Sequence, residues 1–375
     1  MKNTINIIGK KLSKGISKGV AKSMLATAAA AALSLVATSN SAYGALADVT
    51  AIQTQFTAGK GTTVTNVSGY GDSSTGFLTT NTYTIHYAGG DLAVTKLHTN
   101  GQDYVPFAQG TAVVRRNNVD PNTDILWYAT SGNINTANGS TLNLEGPQLS
   151  GYNAALSQNN LLVGADNIFG NVGNGHGNNT NVERIDLLYT AGVTTASDKL
   201  FAVFERGLTG AHDGFKIAAI TSLDGSNVPN GYGPLINVTK GSYGNTPLLA
   251  AQGYTILRSS DNIPNDPFHP ADKTTQTIGG ISIPTTDLAS AGTTIYGYSL
   301  FAPDQTGTGS QLVDWTNSSF FPTNSREGTI AGLDPQAASG TLYVSIPEPT
   351  TGSLMVAGAG LLLGRRSKRR QAAKA

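Results

Sequence analysis

The sequence contains no cysteine in 375 residues. Disulfide scaffolds, thiolate-ligated zinc, thiol catalysis and a lipid-modified N-terminal cysteine are thereby excluded. The core has to hold without covalent staples, which this length allows. Charge is scarce too, with 13% of residues Asp, Glu, Lys or Arg, about half of the usual quarter. A coiled coil needs far more Glu, Lys and Leu, and a net charge of +1 argues against a general nucleic-acid binder. The five histidines include no His-x-x-x-His pair, so the sequence offers no zinc-enzyme signature. No repeat of fixed period is visible, which disfavours a propeller or solenoid. Between Asp48 and Ile346 there is also no amphipathic helical pattern of ten or more residues.

What is present is strongly segregated. Residues Met1 to Ala47 hold six lysines and no acid. Asp48 to Ile346 carry 12 basic and 22 acidic residues, a net charge of −10. Pro347 to Ala375 return to +5. The near-neutral total conceals an acidic body between two basic ends.

The first end, residues 1–47, has the three parts of a secretory signal peptide. A basic region ends at Lys22, an uncharged stretch runs from Met24 to Val36, and small residues follow. Two small-x-small frames offer a cut for signal peptidase: Ala42-Tyr43-Gly44 before Ala45, and Ala45-Leu46-Ala47 before Asp48. Sequence alone favours the second, because Ala45 and Ala47 both flank it. No Arg-Arg pair precedes the apolar run, so twin-arginine export is not indicated.

The second end has a different order. Pro347-Glu348-Pro349 is followed by uncharged residues 350–364, and then by Arg365, Arg366, Lys368, Arg369 and Arg370 within the tail 365–375. As a helix the uncharged stretch is about 22 Å long, short of the ~30 Å hydrocarbon core. It spans only with local thinning and snorkelling of its basic flank. The Arg cluster acts as a membrane stop that stays cytoplasmic, and the two prolines keep the peptide before the helix extended.

These residues, 347–375, resemble the PEP-CTERM sorting signal of Gram-negative bacteria. The resemblance implies an exported substrate of exosortase, an integral-membrane cysteine protease that recognises the Pro-Glu-Pro motif. It further implies transient residence in the inner membrane, a final place at the cell surface or in the extracellular matrix, and an association with exopolysaccharide or biofilm. The helix is shorter and richer in Gly than is typical of that family.

The acidic body, residues 48–346, reads as mainly β, one domain or two lobes, of the β-sandwich or jelly-roll type. It sits between an N-terminal signal helix and a short C-terminal transmembrane helix. Expected strands include Asp91–His98, Asp124–Thr130, Val182–Thr190, Lys199–Arg206, Phe215–Leu223 and Thr293–Ala302. In the third of these, Ile185, Leu187 and Tyr189 share one face and Arg184 and Asp186 the other, the mark of a half-buried strand. Leu200 to Phe204 and Ile217 to Ile220 are apolar on both faces and are expected at the centre. The Gly/Asn-rich segment 170–181 reads as a long surface loop, and 307–340 as a loose region leading towards a stalk.

Three chemical candidates arise in the body. Gly71-Asp72-Ser73 and Asp266-Pro267-Phe268-His269 resemble pieces of an SGNH-type secreted esterase, with Ser73 as nucleophile. The helices of that α/β fold are missing, and Gly164-Ala165-Asp166-Asn167 has its last two residues in the wrong order for the family's oxyanion block. Asp261, Asp266 and Asp272 gather hard oxygen ligands suited to Ca²⁺, with no EF-hand spacing; a Pro-rich turn stapled by Asx side chains explains them equally. Trp127 and Trp315 are aromatics able to stack on sugars, Trp127 reading as core and Trp315 as the more exposed. The sequence reading is therefore a non-enzymatic exported surface protein with no resident cofactor. The alternative is a carbohydrate- or Ca²⁺-dependent binding module or adhesin.

Overall fold

A computed structural model describes residues 46–57, 62–63, 84–85, 91–119, 126–131, 149–171, 180–207, 212–258, 273–325 and 332–346. Gly44–Ile346 forms one compact unit. Residues 1–45, the Pro347–Pro349 motif, the apolar stretch 350–364, the basic tail, Ser73, His269, and Asp261, Asp266 and Asp272 all lie outside the described residues. Among the described residues no helix is long and apolar enough to cross a membrane.

The body is mainly β, in two large antiparallel sheets. The first contains β1 (Ala47–Asp48), β2 (Ala51–Thr57), β5 (Asp91–Thr99), β6 (Gln102–Gln109), β8 (Trp127–Ser131), β9 (Val163–Ala165), β11 (Lys199–Gly207), β15 (Leu249–Arg258), β16 (Lys273–Pro284) and β18 (Thr341–Ser345). Its order is β2-β5-β6-β18-β11-β16-β15-β8-β9, with β1 beside β16. The second contains β7 (Thr111–Arg116), β10 (Val182–Thr194), β12 (Phe215–Leu223), β13 (Pro229–Tyr232), β14 (Ile236–Val238) and β17 (Thr294–Phe301). Its order is β13-β12-β17-β10-β7, with β14 beside β12. A separate short pair joins β3 (Thr62–Thr63) to β4 (Thr84–Ile85).

Strand alternation explains how the sheets meet. In β11, Phe201 and Val203 point into a core shared with the second sheet, while Leu200, Ala202 and Phe204 point into a second cluster with Val94, Leu97 and Tyr343. A strand apolar on both faces thus serves two cores. In β12, Phe215, Ile217 and Ala219 join the shared core, and Ala218 joins a third cluster with Phe301, Leu312 and Phe321. Tyr189 and Tyr298 flank Phe201, with ring centroids 5.5 and 4.7 Å away. Such aromatic pairs add about 0.5–1.5 kcal/mol beyond burial.

One free sheet edge is closed by polar side chains. Helix α1 (Leu149–Leu156) packs beside β7. Asn153 Oδ1 accepts the Val114 N–H at 2.8 Å, and Ser157 Oγ accepts the Ala112 N–H at 2.7 Å. Asn159 and Asn160 then satisfy β5 where β6 has left it, accepting from Val94 N–H at 3.0 Å and Leu92 N–H at 3.1 Å. A sequence stretch with the composition of a loop therefore stands in for a missing strand.

Two expectations change. Residues 307–340 are not a loose lead to a stalk: Leu312, Phe321, Leu333, Ala337 and Ala338 are buried. The chain then enters β18, which lies between β6 and β11 in the first sheet. Strand β10 is not half-buried either, since residues 182–189 are all buried. The polar face of Arg184 and Asp186 is covered by the 309–321 segment rather than by water. Of segment 170–181, residues 172–179 lie outside the described residues, and the two ends are joined. Thr180 N–H donates to Gly170 O at 2.7 Å and its hydroxyl to Ile168 O at 2.8 Å, pinning the two ends together.

Both ends of the body leave the first sheet on the same side. Ala47 pairs with Ser282 and Asp48 with Ile281, so the chain before Ala47 heads towards the Pro284 end of β16. Pro284 pairs with Leu200, and Lys199 pairs with Val344. The chain after Ser345 therefore leaves at that same end.

Candidate functional site

The charges of the body converge on the far half of β11. Glu205 and Arg206 continue the alternation of the apolar run, so they point to opposite faces of a buried strand. Arg206 is fully buried. Its Nη2 lies 2.5 Å from Asp166 Oδ1 and 2.9 Å from Asp334 Oδ2, and its Nη1 donates to Gln276 Oε1. Asp166 follows β9. Asp334 comes from a segment that replaces β18 alongside β11, where Arg206 N–H donates to Asp334 O at 3.1 Å and Gln336 N–H to Phe204 O at 2.8 Å. Asn167 completes the set, donating its backbone N–H to Asp334 Oδ1 at 2.6 Å and its side-chain amide to Asp166 Oδ2 at 3.0 Å. Burial pushes Asp334 well above the usual carboxylate range against the pull of Arg206.

On the opposite face, Glu205 Oε2 shares a hydrogen bond with His212 Nδ1. The pair fits because two neighbours lack side chains. A Cβ on Gly279 would meet the His212 ring at 2.4 Å, and one on Gly207 would meet Glu205 Oε2 at 3.0 Å. Tyr243 packs against the imidazole, with ring centroids 5.1 Å apart. Burial, with the Asp334 and Asp213 charges behind it, drives the Glu205 carboxyl up; burial drives the His212 imidazole down. Both shifts favour a pair of neutral partners. Such a pair can pass a proton internally, yet His212 is only 3% exposed and Glu205 is fully buried, so this conformation presents neither to a substrate. Among the described residues, Glu205 Oε1 and the Tyr243 hydroxyl have no hydrogen-bond partner. Among the described residues no group of three or more metal-ligating side chains assembles.

A third network lies on the outer face of the second sheet. Asp186 accepts from Arg184 Nε at 2.7 Å, Arg115 Nε at 2.8 Å and Ser299 Oγ at 2.6 Å. Arg184 also donates to Leu312 O and Val313 O at 2.7 and 2.9 Å. Trp315 is half-buried, with the guanidinium carbons of Arg115 and Arg184 at 5.0 and 4.8 Å from its ring centroid. Its indole N–H donates to Arg116 O at 3.2 Å. The ring that the sequence offers as a candidate for sugar stacking is half-buried and engaged by two arginines. For Trp127, strand β8 is described but the side chain is not. Asp224 forms an Asx turn, accepting from Ser226 N–H and Val228 N–H at 2.8 Å each.

None of these three networks was singled out from sequence. The available signal was Glu205-Arg206 running on directly from Leu200–Phe204: two charges in a doubly apolar strand need partners inside the fold.

Glu183 gives a solution test of this enclosure. It is buried beside Asn171, whose Nδ2 lies 3.3 Å from Oε1. Burial first, and the Asp304 charge second, push its carboxyl from 4.5 up to about 8. The folded state thus holds a proton that the unfolded chain releases, so this stabilisation is full below pH 4.5 and lost as the pH rises through about 8. Glu183→Gln keeps the neutral shape. It is expected to raise stability by several kcal/mol at pH 9, on the order of 5 if the whole shift is expressed, and to change little at pH 4. Urea unfolding at the two pH values measures it; an equal effect at both would contradict a buried neutral acid.

Comparison with protein families, with characterised proteins and with solved structures finds no match to this chain.

Proposed function

We propose that this chain is an exported, non-catalytic surface or matrix protein. It crosses the inner membrane behind its N-terminal leader, is held there briefly by residues 350–364, and is released or transferred by an exosortase acting at Pro347-Glu348-Pro349. The body, built in the manner of a β-sandwich, is the delivered cargo, and neutral exopolysaccharide is its expected surrounding. The observation that carries this reading is the order of the two terminal signals around a body that stops where the second begins. Ile346 is still tied to the fold, its N–H donating to Asp103 O at 2.9 Å and its carbonyl accepting from Gln102 Nε2 at 2.7 Å. The next residue is Pro347. The shared exit side of both chain ends further supports it, because one pole of the body can then face the membrane during export. The enclosed charge networks support a structural rather than a catalytic body.

The test is made in a Gram-negative host that carries an exosortase. Glu348→Ala is expected to leave unprocessed protein in the membrane fraction; deletion of residues 365–370, which removes the membrane stop, is expected to abolish C-terminal processing and to weaken membrane retention. Processing and location identical to those of the unsubstituted chain would overturn the proposal.

A further inference from the structure

The leader offers two cutting frames, three residues apart, and the fold distinguishes between their products. Resting on the reading of residues 1–47 as an export leader, we propose that signal peptidase cuts between Gly44 and Ala45, so that Leu46 and Ala47 remain as structural residues of the mature protein.

The argument starts from what β1 does. Ala47 and Asp48 pair with Ser282 and Ile281 at the end of β16. Leu46 packs against the core shared by the two sheets. Ala47 O accepts from Ser282 Oγ at 2.9 Å, Asp48 O accepts from Thr99 Oγ1 at 2.9 Å, and the two hydroxyls are 2.8 Å apart. Thr99 and Ser282 are both fully buried, so this is an interior polar lock that joins β1, β5 and β16. Val49 continues it, donating its N–H to Gly280 O at 2.8 Å.

A cut after Ala47 removes Leu46 from the core and takes away the acceptor of the buried Ser282 hydroxyl. It also places a new ammonium group at Asp48, beside that lock. Loss of a buried acceptor and introduction of a charge are both costly in an interior. A cut after Gly44 leaves every one of these interactions in place. Composition had ranked the frames by the small residues at their two flanks. Both frames satisfy that rule, so the structural cost of the product separates them.

The experiment is N-terminal sequencing and intact mass of the full chain after export in a Gram-negative host. A mature terminus at Ala45 is expected. A terminus at Asp48 would overturn this inference while leaving the leader reading intact; a retained Met1 would overturn the leader reading itself. Two substitutions supply a second readout. Gly44→Gln puts a large side chain at the cutting position of the first frame and is expected to abolish the Ala45 terminus, slowing maturation or diverting it to the second frame. Ala47→Gln does the same to the second frame and is expected to leave maturation at the unsubstituted rate. The reverse pattern would overturn the inference.

Discussion

Arg206→Met is expected to cost about 3–5 kcal/mol of stability, the effect of removing one partner from a buried ion network. The guanidinium holds Asp166 and Asp334 together at 2.5 and 2.9 Å, and all three side chains are buried. Methionine fills comparable volume, so the loss reports the two carboxylates left without their cation rather than a cavity. The pH dependence tests that cause. Without Arg206 the Asp334 carboxyl, already raised by burial, loses the attraction that holds it down and rises further. Protonation then relieves the strain, and the deficit shrinks as the pH falls. Urea midpoints at pH 8 and pH 5 are expected to show a clearly smaller loss at pH 5. A loss independent of pH would mean that packing, not charge, dominates. Lys199→Met is the control: its ammonium donates to Thr194 O on the surface, and its removal is expected to change stability by less than about 0.5 kcal/mol.

Gly297→Ala is the second large effect, expected at about 4 kcal/mol, in the range reserved for a specific structural conflict. Gly297 sits within β17, opposite Leu188 in β10, with φ of +105°. That backbone conformation is one that L-residues rarely adopt. More severely, a Cβ there would lie 1.9 Å from the carbonyl oxygen of Leu187, a backbone atom with no rotamer to retreat to. The close approach accompanies the register shift between Leu188 and Val193, where β10 slips against β17. Relief would require separating two strands that line the shared core. Gly225, in the exposed turn after β12, has nothing within 4 Å of an added Cβ. Gly225→Ala is expected to be near neutral in the same urea titration. Equal effects at the two positions would show that loss of glycine flexibility, rather than the clash, is responsible.

Much of the fold was legible. Phe215–Leu223 emerges as β12 with the expected bounds, and Lys199–Arg206 lies within β11 at the middle of the first sheet. These strands are strongly apolar, and local pattern suffices for them. Strands β6 and β7 were missed although a signal existed between β5 and β6. Asn100 and Gly101, with φ of 51° and 73°, form the two-residue turn that joins those strands, and an Asn-Gly pair between extended segments is a strong hairpin marker. Strand β18 was missed for another reason. Five residues, Thr341–Ser345, carry too short a pattern to distinguish a central strand from an irregular tail. Its identity depends on β6 and β11, more than a hundred residues away in sequence.

The candidate site was less legible. Arg184 and Asp186 were placed correctly on one strand face, but periodicity of two says only that they share a face, not what covers it. The cover is the chain around Leu312 and Trp315. Likewise Glu205 and His212 are close in sequence, yet their enclosure depends on Gly279 and Tyr243, drawn from two other parts of the chain.

The sequence by itself determined the segregation of charge into two basic ends and an acidic body, the order of motifs at each end, and the β character of the body. Those properties depend on residue type and short-range spacing, which need no partner. Tertiary structure decided which charges lie inside, because a buried ion requires an opposite charge brought from a distant strand. It also gave Leu46 and Ala47 a place in the folded body, because pairing with β16 and the lock formed by Thr99 and Ser282 exist only once the sheet has closed.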